Sequence, residues 1–486
     1  PNIILISTDD QVLTFNRKNM PATWRLLAER GTSFTNSIVS TPSCCPSRAT
    51  AITGQYPHNH GVTSTALGYF AFDNEESTLP VWLRDAGYRT SHIGKYLNRY
   101  HQARPTPTGV PPGWDEWHSM IPPKSYFGYE LGVNGDSERF GFDDDDYLTR
   151  TLNKRAIEFV RDSAAGDRPF FLHLDQFAPH QVKNENRDGP CKGAAAPDPR
   201  DIGRIDEITF DPAPGFNERD VSDKPSFIQA LPQLDAETKE SISKRYRCGV
   251  ASLRAVDRGI ARLVQELRRL DLLDDTAIVF TSDNGLFHGE HRVAGSKILP
   301  YEEAIRVPLV IRLPDGAAGT APDRIHRPVA NVDLAPTILD LAGAQPCTAG
   351  GNCRTMDGRS LVGLVSGDAP EWPRQRSLLL EFGLGFDETN SSVCDYAGVW
   401  SPQRVYVEYD RVAGSEPGEE PGKVRCIEVD ERELYDLERD PGQLDNQLAL
   451  GSGGAGDLET RLAALRDCAG IEGRDEPADE SRPYCE

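Results

Sequence analysis

Two pairs of residues far apart in the chain have the composition of a single cation site. Asp9-Asp10 and Asp283-Asn284 form an all-oxygen donor set with three negative charges. Such a set suits a hard cation such as Ca²⁺, with Mg²⁺ as the alternative, and does not suit zinc. A second candidate is the run Ser43-Cys44-Cys45-Pro46-Ser47-Arg48, followed by Ala49 to Gly54 in a stretch that suits a loop entering a helix. Helix N-termini present unpaired N–H groups and attract anions, so Cys44 and Arg48 stand where an anionic group would bind. His288 and His291 have the H-x-x-H spacing of a zinc pair, but no third ligand of the right type stands nearby. Asp143 to Asp146 reads as a solvated loop before a helix. His58, His60 and His291 are pocket candidates whose alternative is ordinary packing or loop structure.

Three strands deliver these polar residues. Asn2 to Thr8 is a short Ile-rich run ending at Asp9-Asp10, Ala277 to Ser282 ends at Asp283-Asn284-Gly285, and Pro169 to Leu174 leads to Ala178-Pro179-His180. Between them, Lys244 to Leu270 carries apolar residues at steps of three and four, which predicts a long amphipathic helix. Strands alternating with helices predict an α/β fold with a large, mostly parallel central sheet flanked by helices. Ligands of such sheets sit beyond the carboxyl ends of the strands, so the three clusters can converge. Residues 103–135 and 184–235, rich in Pro and polar residues, read as long ordered loops. Beyond Gly367, strands are expected at Ser377 to Phe382 and Arg404 to Tyr409, with an acidic loop at 414–422 and a short helix capped by Asp457. The division expected is a catalytic domain over 1–370 and a smaller α+β subdomain with an antiparallel sheet over 371–486.

The 486 residues include 53 Lys and Arg against 75 Asp and Glu, a formal net charge of −22. That field repels nucleic acid and anionic lipid, so neither is an expected partner, and a positive site has to be local. Mean hydropathy is −0.51, and no apolar run approaches the roughly 18 residues of a membrane span. Ten cysteines, eight of them scattered without a C-x-x-C pair, suggest disulfides in an oxidising compartment. Export is therefore expected, with no leader present in this sequence. Sequence separation favours Cys347–Cys353, Cys468–Cys485, Cys394–Cys426 and Cys191–Cys248 among the 105 pairings open to eight cysteines.

C-x-P-S-R ahead of Thr53-Gly54 resembles the signature of the type I, formylglycine-dependent sulfatases of the alkaline phosphatase-like superfamily. Gly87-Tyr88-Arg89-Thr90 through Gly94-Lys95-Tyr96-Leu97, Ala178-Pro179-His180, Lys297, and Glu433-Leu434-Tyr435-Asp436-Leu437 match further family motifs in the same order. Gly94 to Asn98, the Cys-Cys form of the nucleophile motif and Gly113-Trp114-Asp115-Glu116-Trp117 resemble the glucosamine-6-sulfatase and endosulfatase branch. The chain departs from the pattern at Ala51, where a larger aliphatic is usual, and at Leu97, where many arylsulfatases carry histidine.

The resemblance implies that Cys44 is oxidised to formylglycine by a formylglycine-generating enzyme. It further implies that Arg48 binds the hydrated aldehyde, that Lys95, Lys297 and His180 contact the sulfate or leaving group, and that Asp9, Asp10, Asp283, Asn284 and position 44 hold one cation. The expected activity is hydrolysis of a small sulfate ester or sulfated sugar, such as a 6-sulfated glucosamine. The rivals are a phosphate or phosphonate ester hydrolase of the same superfamily, and a noncatalytic sulfate-binding protein with an unmodified cysteine.

Overall fold

Asn2–Thr8 forms β1, and every residue of it is buried. A strand covered on both faces needs no polar alternation, which is why NIILIST reads as one apolar run. The structure is a computed structural model. It is described for all residues except 14–17, 104–108, 183–188, 315–321, 369–371, 374, 384–392, 415–424 and 476–481.

Strand β1 lies in a ten-stranded sheet with β2 (Thr32–Phe34), β3 (Arg89–Gly94), β4 (Glu116–Ile121), β5 (Glu130–Val133), β6 (Asp136–Arg139), β7 (Phe170–Asp175), β8 (Thr276–Ser282), β9 (Leu309–Arg312) and β10 (Arg324–Ile325). The order across the sheet is β10-β2-β9-β8-β1-β7-β3-β4-β5-β6. The five central strands, β8-β1-β7-β3-β4, are all parallel. Strand β9 is antiparallel to both its neighbours, and β5 and β6 form antiparallel hairpins at the far edge. All five central strands therefore end on one side, which is the geometric requirement for gathering distant residues.

Helix α1 (Cys44–Thr53) is buried along nearly its whole length and ends at Gly54 in the left-handed region, φ 68°. Helix α2 (Leu148–Ala164) and α3 (Ala236–Arg269) pack against each other and share the apolar core on one face of the sheet. Asp235 starts α3 by accepting the Thr238 N–H at 2.8 Å, so the helix begins eight residues earlier than its apolar periodicity suggests. Its first turns are polar, and a capping carboxylate rather than an apolar face marks where it starts.

A second, four-stranded antiparallel sheet follows: β11 (Leu378–Gly383), β12 (Val393–Trp400), β13 (Arg404–Gly414) and β14 (Arg425–Asp436), in that order. Helix α4 (Gly456–Leu465) packs on it through Leu458, Leu462 and Leu465. Asp457 does not cap α4; Ala455 occupies the cap position and Asp457 lies in the first turn, where it pairs with Arg404 at 2.5 Å. The supposed loop at 103–135 also contains β4 and β5, because Trp117 and Met120 bury their side chains despite Pro and Gly neighbours. Most of the acidic loop at 414–422 and the expected boundary at 370 lie outside the described residues. Four disulfides join Cys191–Cys248, Cys347–Cys353, Cys394–Cys426 and Cys468–Cys485, leaving Cys44 and Cys45 as buried thiols. Among the described residues no helix is long and apolar enough to cross a membrane.

Candidate active site

Each central strand ends in a polar residue of the same cluster. Asp9 and Asp10 follow β1, Asp283 and Asn284 follow β8, Asp175 closes β7, Lys95 follows β3, and Lys124 lies just beyond β4. Crowding fixes two backbone positions here. Gly94, at φ 119°, runs so close to the Asp175 carbonyl that a Cβ would collide with it. Asp10 sits at φ 68°, an uncommon conformation for a non-glycine residue, with its N–H donated to the Asp283 carboxylate at 3.1 Å.

Cys44 opens α1 at the centre of the cluster. Its Sγ lies 3.4 Å from Asp9 Oδ1 and 2.6 Å from Lys297 Nζ. Lys297 also donates to Asp10, and Lys95 donates to the second oxygen of Asp9. Arg48, one turn along α1, donates Nε to Asp283 at 2.9 Å and Nη1 to Asp175 at 2.6 Å and to the Lys95 carbonyl at 2.9 Å. Asn284 donates to Asp10 at 2.6 Å. His180 Nε2 stands 3.8 Å from Asp10, and its Nδ1 lies 2.7 Å from the Gln181 carbonyl, so Nδ1 carries the proton and Nε2 a lone pair.

Burial and charge compete throughout. Burial opposes ionising Asp9, but the Lys95 ammonium, with Arg48 behind it, outweighs it and holds the carboxyl well below the usual range. Burial together with the Asp9 charge pushes Asp283 up to about 6. Lys95 and Lys297 stay cationic because Asp9 and Asp10 overcome their desolvation. Burial, reinforced by Asp9, pushes the Cys44 thiol up to about 12. A thiol this reluctant to ionise is a poor nucleophile at neutral pH.

The donor set fits a hard cation. Asp9, Asp10, Cys44 and Asp283 offer ligand atoms that all lie within 4.8 Å of one another. Beside them the Asn284 Oδ1 is buried with no hydrogen-bond partner, the kind of orphaned acceptor that needs an explanation. Three carboxylates and an amide oxygen match Ca²⁺ or Mg²⁺ chemistry.

Four residues of the cluster carried no expectation from the sequence. Asp175 accepts from Arg48, from Ser7, from His92 Nε2 at 3.0 Å and from His173 Nε2 at 3.1 Å. His92 and His173 stand on neighbouring strands in an aromatic shell that includes Trp114 and Trp117. Burial, with Lys95 adding to it, drives the Lys124 ammonium down to about 7. The available signal was weak: a His and an Asp inside PFFLHLD, where a covered strand otherwise carries apolar residues.

The three pocket histidines are committed elsewhere. His58 is bound by Glu381 at 2.9 Å and by the Cys468 carbonyl at 2.9 Å. His60 bonds Thr50 at 3.0 Å. His291 bonds Glu218 at 2.7 Å and stacks on Tyr301, while His288 lies 3.2 Å from its neighbour's carbonyl, Leu286. These contacts do not include a member of the cluster, and the H-x-x-H pair makes no joint site.

Comparison with known proteins decides the family. The sulfatase family profile matches residues 1–344, and the profile of the N-sulphoglucosamine sulphohydrolase C-terminal region matches residues 289–402. The chain belongs to the sulfatase family. It is 30% identical to human N-acetylglucosamine-6-sulfatase over 495 residues, covering 97% of this chain and 85% of that protein. It is 34% identical to the Caenorhabditis elegans homologue of extracellular sulfatase Sulf-1 over 373 residues, 75% of this chain and 49% of that protein. The chain thus spans about half the length of that extracellular relative. Among solved structures, one described in complex with its substrate D-glucosamine-2-N,6-O-disulfate shares the fold at a TM-score of 0.73, with 22% identity and 96% of each chain covered. The phosphonate monoester hydrolase of Agrobacterium radiobacter shares it at 0.69, with 21% identity and 96% and 95% covered. The fold of this sulfatase-family chain, a large mixed sheet with a small antiparallel one, is the alkaline phosphatase-like fold.

Proposed function

We propose that this chain is an exported sulfatase that hydrolyses a small sulfate ester, of the 6-sulfated glucosamine class, to the alcohol and inorganic sulfate. The observation that carries the reading is Cys44 at the start of α1, between the ammonium of Lys297 and the carboxylate of Asp9, with three acids and an orphaned amide oxygen gathered round it. The identity to N-acetylglucosamine-6-sulfatases over nearly the whole chain supports the substrate class. Four disulfides and the extracellular relatives support export.

A group bound by Asp9, Asp10, Asp283, Asn284 and residue 44 would be Ca²⁺, with Mg²⁺ the alternative, and would supply Lewis-acid polarisation of a sulfate oxygen. Cys44 converted to formylglycine by a formylglycine-generating enzyme would supply a hydrated aldehyde, with one hydroxyl to attack sulfur and a second whose deprotonation releases sulfate. A thiol has no second hydroxyl, and burial already disfavours its thiolate. Arg48, fixed by two carboxylates, keeps its guanidinium within the same charged cluster as residue 44. Lys95 and Lys297 present ammonium groups where charge grows on the transferring group, positioned before the reaction begins. Burial pushes the His180 imidazole down to about 4, so at neutral pH its Nε2 lone pair can take a proton at the site.

Assaying the protein, produced together with a formylglycine-generating enzyme, on 4-nitrophenyl sulfate, 4-nitrophenyl phosphate and N-acetylglucosamine 6-sulfate tests the reading. Faster turnover of the sulfate esters is expected. Much faster phosphate turnover would replace it with the phosphate or phosphonate hydrolase reading, which the likeness to phosphonate monoester hydrolases favours. Binding without turnover, with Cys44 still a thiol after processing, would make the protein a sulfate binder.

A further inference from the structure

Asp175 is a carboxylate of the site that stands apart from the proposed cation ligands, and Arg48 is the permanently charged side chain bound to it. It accepts four donors: Ser7, Arg48, His92 and His173. Both imidazoles donate from Nε2, and both Nδ1 atoms are buried with no partner. A doubly protonated ring would bury an unanswered N–H at each Nδ1, whereas the neutral tautomer leaves only a lone pair. For His92 burial works the same way, driving its protonation down to about 4. The two Nε2 donors therefore fix the carboxylate in place, and Arg48 is its permanently charged partner.

We propose that Asp175 sets the net charge of the anion cradle, and so selects singly charged esters such as sulfate monoesters over doubly charged phosphate monoesters. The inference rests on the sulfatase reading of the same site and adds the residue that tunes it. Three fixed cations, Arg48, Lys95 and Lys297, face four carboxylates, Asp9, Asp10, Asp175 and Asp283. A divalent ion on the acids leaves one positive charge in surplus, which matches a sulfate monoester. Lys124 adds only a fraction of a charge, since burial and Lys95 hold it at about 7. A phosphate monoester loses its second proton near pH 6 and is a dianion in mild alkali. Were Asp175 neutral, the surplus would be two and would match that dianion. One unit charge a few ångströms away in a protein interior changes affinity by roughly tenfold to a hundredfold.

The test compares 4-nitrophenyl sulfate with 4-nitrophenyl phosphate at pH 8. Ratios of kcat/KM are measured on the converted enzyme, and ratios of Kd by calorimetry on a Cys44→Ala background that cannot turn over. Asp175→Asn, close in shape and uncharged, is expected to shift both ratios toward phosphate by about tenfold or more. His173→Phe removes one donor and keeps the charge, so both ratios should stay near the starting values. A fall in both esters alike for Asp175→Asn, or an equal shift for His173→Phe, would show packing rather than charge and overturn the proposal. If Asp175→Asn does not fold, the unsubstituted chain decides: a Kd for the phosphate ester equal to or tighter than that for the sulfate ester overturns the proposal, and weaker phosphate binding supports it. Absence of sulfate turnover in fully converted enzyme would instead count against the sulfatase reading, while the binding ratios would still test Asp175.

Discussion

Arg48 and Arg376 are both fully buried and both held cationic by two or more acids, yet they behave as opposites. Arg376 donates Nη1 and Nη2 to Asp333 at 2.5 and 2.8 Å and Nε to Glu486, so every nitrogen is answered. Arg48 leaves Nη2 without a hydrogen bond, with only ion-pair approaches of 2.9 Å to Asp283 and 3.6 Å to Asp9. Around Arg376 the partners tie Glu486 to the body of the protein. In the same cluster as Arg48 a second polar atom, the Asn284 Oδ1, is also buried without a hydrogen bond. A buried charge that is fully paired holds a fold together; one left partly unpaired is placed for something that comes and goes.

This contrast can be broken at both ends. Arg48→Ala should lower kcat/KM on a sulfate ester by about a thousandfold, the scale for losing a pre-positioned charge, with a soluble, folded product. Steady-state kinetics beside thermal melts check it, and collapse of the fold instead would make Arg48 a scaffold residue like Arg376. Arg376→Ala should do the reverse, costing about 3–5 kcal/mol because Asp333 is left as an uncompensated buried charge. Denaturant unfolding reads that loss, while kcat of the protein that remains folded should hold. Asp283→Ala should remove both metal binding and turnover; retained activity in metal-stripped buffer would count against the cation.

Smaller effects sharpen the scaffold side. Replacing Cys468 and Cys485 with alanine should cost about 2–4 kcal/mol, measured by denaturant unfolding, because the bridge closes the segment that carries Glu486. His58 gives a pH signature. Burial lowers its affinity for a proton, but the Glu381 carboxylate outweighs that and raises it from 6.5 to about 9. A raised folded-state value means the stabilisation is fully present below pH 6.5 and lost as pH climbs through 9. The loss is about 3 kcal/mol. His58→Gln should flatten the fall in Tm over that window; an unchanged fall would dissociate the effect from this pair.

Much of the candidate site was legible because its residues break the pattern of the strands that carry them. Asp9 and Asp283 stand where apolar runs end, and Cys44, Lys95 and His180 sit in recognisable motifs, although their order along the chain is not the order of the strands across the sheet. Asp175, His92 and His173 were missed because each lies inside a covered strand, where a single polar residue is read as tolerated and its partners sit on neighbouring strands. Lys124 follows a Pro-rich stretch with no periodicity to place it. Strands β4 to β6 were missed for a related reason: only β4 is nearly covered, and short hairpins with Gly and exposed charges carry little pattern. All four disulfides followed from separation alone, since each pair closes a local loop.

The central claim is that residue 44 acts as an aldehyde and not as a thiol. The most direct measurement is the mass of the peptide carrying residue 44, taken on the same preparation as the rate on a sulfate ester. Turnover per mole of protein is expected to rise in proportion to the fraction of that peptide found as aldehyde and to vanish when it is all cysteine. Full turnover from protein in which Cys44 is entirely thiol would contradict it.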